Sequence, residues 1–88
     1  METTQTTNRR LGVVAIVVKN REESYSGVNE ILHDYGNIII GRMGIPYRDR
    51  NLSIISVIVD GTTDEIGAMT GKLGKIKDVS VKSMLTSI

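Results

Sequence analysis

The chain has no cysteine, no phenylalanine and no tryptophan, and its 88 residues include a single proline and a single histidine. Without cysteine, neither a disulfide nor a thiolate metal site can form. His33, with only Glu30 and Asp34 close to it in sequence, falls short of the ligand spacing of a metal motif, so no metal and no cofactor is expected. The three aromatic residues are Tyr25, Tyr35 and Tyr47, which leaves few platforms for stacking bases. Eleven basic and ten acidic residues give a net charge of +1, mixed along the chain. That balance does not suit a protein whose main work is neutralising phosphates. No apolar run approaches the ~20 residues needed to span a bilayer. The opening METTQTTNRR is polar and Thr-rich, unlike a secretion signal. A cytoplasmic protein without a membrane partner is expected. Ser24, Ser26, Ser53 and Ser56 have no positioned imidazole, and no glycine-rich phosphate loop follows a strand. No enzyme is expected.

Two apolar runs stand out, Leu11–Val18 (LGVVAIVV) and Leu52–Val59 (LSIISVIV). Both carry aliphatic residues on both alternating faces, whereas a strand lining one small core needs only every second residue apolar. A domain of this size buries roughly 60–65% of its unfolded surface and has little chain left to cover a second face. Another copy of the chain, or a partner, is expected to supply that cover.

Met1–Arg9 is expected to be a disordered tail, followed by one domain over residues 10–88. Arg10–Lys19 predicts a strand. Over Asn20–Gly36 the period changes, with Tyr25, Val28, Ile31, Leu32 and Tyr35 on one helical face. Asn20 is placed to cap this helix with Glu23 three residues on, and Gly36 to end it in a left-handed conformation. Asn37–Met43 predicts a second strand, Gly44–Asn51 a long hairpin loop around Pro46, and Leu52–Asp60 a third strand. Thr62 and Glu65 have capping-box spacing at the head of a second helix, in which Ile66, Met69, Leu73 and Ile76 share a face and Gly74 marks the stop. Lys77–Met84 predicts a fourth strand. The order strand–helix–strand–strand–helix–strand, with right-handed crossovers, gives an α+β ferredoxin-like sandwich. Both helices lie on one face of a four-stranded antiparallel sheet, and the two doubly apolar strands stand at its centre.

Three stretches, VNEILHDYG (Val28–Gly36), IIIGRMGIPYR (Ile38–Arg48) and VDGTTDEI (Val59–Ile66), with Met69–Gly74 after them, make the chain resemble a small family of regulators of the iron-only hydrogenase system. The resemblance implies a stand-alone ACT-like domain, similar to the sensing half of nickel-responsive repressors. It also implies a homo-oligomer, a homodimer or homotetramer formed through the open sheet face or the sheet edges, with small effectors held at the interfaces. The sequence departs from those repressors in having only about ten residues before the first strand, fewer than a ribbon-helix-helix segment needs, so any DNA contact is expected to be delegated to a partner. Their nickel site needs several histidines and a cysteine, and His33 stands alone here.

The candidate ligand- or partner-binding residues fall in two places. Asn20 and Arg21 occupy the turn where ACT relatives hold effectors, although capping chemistry also accounts for Asn20. The predicted hairpin gathers Arg42, Tyr47, Arg48 and Arg50, guanidiniums beside an aromatic ring that could clasp a small anionic effector or the carboxylates of a protein partner. Gly67 and Gly71, four apart on the second helix, admit a close backbone or merely soften the helix. The alternative function is a nucleic-acid binder, because RNA-recognition motifs share this element order. Their third strand carries stacking aromatics and Leu52–Asp60 carries none.

Overall fold

The structure is a computed structural model and describes residues 9–19 and 22–87. Strand β1 (Arg9–Lys19) is followed by helix α1 (Glu22–Asp34), strand β2 (Ile39–Tyr47), strand β3 (Leu52–Thr62), helix α2 (Thr63–Gly74) and strand β4 (Val79–Leu85). All strand pairs are antiparallel, in the order β2-β3-β1-β4. The expected ferredoxin-like α+β sandwich is therefore observed, with the two apolar runs as its central strands. Arg9, expected in the tail, opens β1; the rest of that tail, residues 1–8, lies outside the described residues.

One face of the sheet carries the core. Val14, Ile16 and Val18 of β1 alternate inward beside Ile55, Val57 and Val59 of β3. They meet Val28 and Leu32 of α1 and Ile66, Met69 and Leu73 of α2, the helical faces that the 3.6-residue period predicts. Ser24, buried at the start of α1, donates from Oγ to the Lys77 carbonyl at 2.7 Å and so ties α1 to the approach to β4.

Three expectations are corrected. The second strand begins later and runs further than Asn37–Met43, and the long loop Gly44–Asn51 shrinks to a single 3-10 turn, Arg48–Arg50, closed by Asn51 at φ 55°. Pro46 had marked a loop, yet it pairs with Ser53 inside β2. An edge strand is where a sheet tolerates proline. Gly36 does not take a left-handed conformation, because no described glycine has positive φ. The chain leaves α1 by tightening into a 3-10 turn over Gly36–Ile38. Before β4, Asp78 rather than a glycine takes the left-handed conformation, at φ 67°. The proposed cap at Asn20 lies outside the described residues.

Candidate functional site

Two surfaces remain after the core is formed, and one irregularity in β2 creates both. Ile39 pairs with Val59, but Gly41 pairs with Ile58, so Ile40 is an extra residue, a β-bulge. A one-residue offset sends every later side chain to the opposite face. Met43, Ile45 and Tyr47 therefore join Ile54 and Ile58 on the face away from the helices, while Arg42, Gly44 and Pro46 turn toward α1.

The face away from the helices is apolar and uncovered. Leu11 and Val13 of β1, Ile54 and Ile58 of β3, Ile40, Met43, Ile45 and Tyr47 of β2, and Met84 of β4 lie on it, each between 38% and 66% exposed. At one end Arg9 closes the patch with Asp60, its Nε 3.2 Å from Oδ1 and its Nη2 donating to the Asp60 carbonyl at 2.7 Å. Lys82, opposite Ala15, flanks it on β4. An apolar centre with a charged rim is the anatomy of a protein interface. Tyr47 is its sole aromatic group and lies at the hairpin end, so the central strands offer bases no ring to stack on.

The second surface is a cleft of about 270 Å³ between α1 and the β2–β3 hairpin. Tyr25 and Asn29, one helical turn apart, form its α1 side. Gly44 and Pro46 form its β2 side and leave the space open, because neither sends a long side chain toward the helix. Ile55 and Ser53 lie at its base. Arg42 stands at the rim, Nη2 donating to Asn29 Oδ1 at 3.1 Å. A second hollow continues from it past Tyr25, Pro46 and Ser53 to Arg48. Among the described residues no carboxylate lines either hollow.

The hairpin residues proposed from sequence are thus separated. Arg42 and Arg48 border the cleft, Tyr47 lies on the opposite face, and Arg50 sits exposed on the turn beyond it. Asn20 and Arg21 lie outside the described residues. His33 is exposed and lines a shallow hollow with Asn29 and Arg42. Among the described residues no three metal-ligating groups come together. Tyr25, Asn29, Gly44 and Ser53 were missed as site residues. Their one sequence signal is that Arg42, Gly44 and Pro46, at period two, offer α1 nothing aliphatic to pack on.

A family model described as "TM1266-like: Iron-only hydrogenase system regulator, putative" matches residues 10–83. The chain belongs to the TM1266-like family. The structure of an uncharacterized protein of that name, TM1266 from Thermotoga maritima, is 42% identical, with a TM-score of 0.86 over 88% of this chain and 96% of that one. The ACT domain from GTP pyrophosphokinase of Chlorobium tepidum is 15% identical, with a TM-score of 0.73 over 86% and 99% of the two chains. The C-terminal domain of the MgtC protein from Mycobacterium tuberculosis is 13% identical, with a TM-score of 0.65 over 91% and 90%. The likeness to the ACT domain establishes an ACT-like fold for this TM1266-like chain and nothing more. No curated protein matches the sequence. Among the described residues no helix is long and apolar enough to cross a membrane.

Proposed function

We propose that this TM1266-like chain is a non-catalytic, homo-oligomeric regulatory module serving the iron-only hydrogenase system for which its family is described, and that copies pair through the open face of the sheet. The observation that carries the reading is the exposed aliphatic patch centred on Val13, Ile54 and Ile58. Fully burying such a side chain stabilises by about 1.5–3 kcal/mol, and these are already half-buried, so each has roughly 1 kcal/mol still to contribute on pairing. The family description supports a regulatory role, and the ACT-like fold is one that regulatory domains use.

Sedimentation over a concentration series tests the assembly. A dimer or tetramer at micromolar protein is expected, and a monomer throughout the series overturns the reading. Filter binding to RNA and DNA at two salt concentrations tests the role; tight binding that weakens steeply with salt would replace this reading with a nucleic-acid-binding one.

A further inference from the structure

Two serines are buried in the described structure, and they differ in one respect. Ser24, 4% exposed, spends its hydroxyl on the Lys77 carbonyl. Ser53, 5% exposed, lines both hollows of the α1–β2 cleft, where its hydroxyl is open to the cleft rather than sealed in the core. A hydroxyl on a cleft wall can donate to or accept from whatever occupies the cleft. Near it, Arg42 has given one N–H to Asn29 and has no carboxylate partner among the described residues. A guanidinium carries five N–H donors in a fork that fits a carboxylate. Gly44, Pro46 and Ile55 present an apolar wall between the two polar groups. The space equals about nine waters at roughly 30 Å³ each.

From this geometry we propose that the α1–β2 cleft binds a small organic carboxylate with a short apolar body, its anion against Arg42 and its body over Gly44, Pro46 and Ile55 beside the Ser53 hydroxyl. The cleft discriminates by charge. Among the described residues no Asp or Glu lines it, so an ammonium group on the ligand would be desolvated without a counter-charge, which is unfavourable. A plain carboxylate is therefore preferred over the zwitterion of the same shape. An inorganic anion gains nothing from the apolar wall. The site gives the regulatory module its effector class and rests on that reading for its consequence, though not for binding itself.

The full chain, labelled with ¹⁵N, is titrated separately with 4-methylpentanoate, with leucine (the same skeleton plus an α-ammonium) and with inorganic phosphate. The expected result is saturable amide shifts at Asn29, Gly44 and Ser53 with 4-methylpentanoate, and at least tenfold weaker binding of leucine and phosphate. Arg42→Gln is expected to weaken 4-methylpentanoate about tenfold or more, Ser53→Ala a few-fold, and Arg50→Gln not at all, with spectral dispersion confirming that each variant folds. Leucine or phosphate binding as tightly as 4-methylpentanoate overturns the proposal, as do shifts scattered over surface cations or indifferent to Arg42→Gln. Mass is measured on the same samples. A monomer that binds 4-methylpentanoate through Arg42 defeats the assembly reading and leaves the site standing, whereas an oligomer that does not bind defeats the site alone.

Discussion

Gly12 of β1 lies opposite Leu85 of β4. A Cβ placed there would stand 2.5 Å from Leu85 Cδ2 and 2.8 Å from the Met84 carbonyl oxygen. The leucine can rotate away, but the carbonyl belongs to the neighbouring strand and moves only with it. Gly12→Ala is therefore expected to destabilise by about 1–3 kcal/mol, the usual cost of overpacking, less the few tenths gained from a stiffer unfolded chain. At about 4–8 °C per kcal/mol for a domain this small, a thermal melt resolves it. Gly67 is the opposite case. Its added Cβ meets nothing within 4 Å on the outer side of α2, so Gly67→Ala is expected to stabilise by up to ~1 kcal/mol. A Gly12→Ala protein melting at or above the parent would mean that β4 gives way more readily than its register implies. If Gly67→Ala lowers the melt instead, the glycine is serving a close approach that the single chain does not contain.

Among the elements, α2 starts at a complete cap. Thr62 Oγ1 accepts from the Glu65 backbone N–H at 3.0 Å, and Glu65 Oε1 accepts from the Thr62 backbone N–H at 2.9 Å, a reciprocal capping box. The hydrogen bond from the Thr62 backbone, then that from its hydroxyl, hold the Glu65 carboxyl below the usual glutamate range. A depressed folded value means that the carboxylate's contribution is complete above the unfolded value of about 4.3 and is lost as pH falls through the folded one. Glu65→Ala should thus melt below the parent at neutral pH, with the gap closing on acidification below about pH 4; a gap of constant size would show that Glu65 acts only by packing. This box was legible in TTDE, as were both helical faces and the two doubly apolar strands, because each depends on local spacing. The end of α1 and the extent of β2 were not. Gly36 and Pro46 carry strong local preferences, yet the chain resolved both by tertiary means, a 3-10 turn and an edge strand. The cleft was legible only in part, since its side of β2 depends on the bulge at Ile40, a cross-strand offset that no period in IIIGRMGIPY reveals. Arg42 and Arg48 were singled out for their charge and do border the cleft, while Ser53 and Asn29 gained their places from pairing and packing alone.

For the molecule as a whole, the bulge divides the hairpin between two surfaces, an aliphatic sheet face proposed for assembly and a cationic cleft proposed for ligand binding. The account stands or falls on the first. Ile58 lies on central β3, 45% exposed on the open face and outside the core. Ile58→Glu therefore costs the single folded chain about 1–2 kcal/mol, in strand preference and in the half-burial it already has. In a paired face it buries a carboxylate with no counter-charge, which costs several kcal/mol. The decisive measurement is light-scattering mass of the parent and of Ile58→Glu at equal micromolar concentration, with circular dichroism on the same samples. The account predicts a dimeric or tetrameric parent and a folded, monomeric variant; a parent and variant of the same mass, both folded, would contradict it.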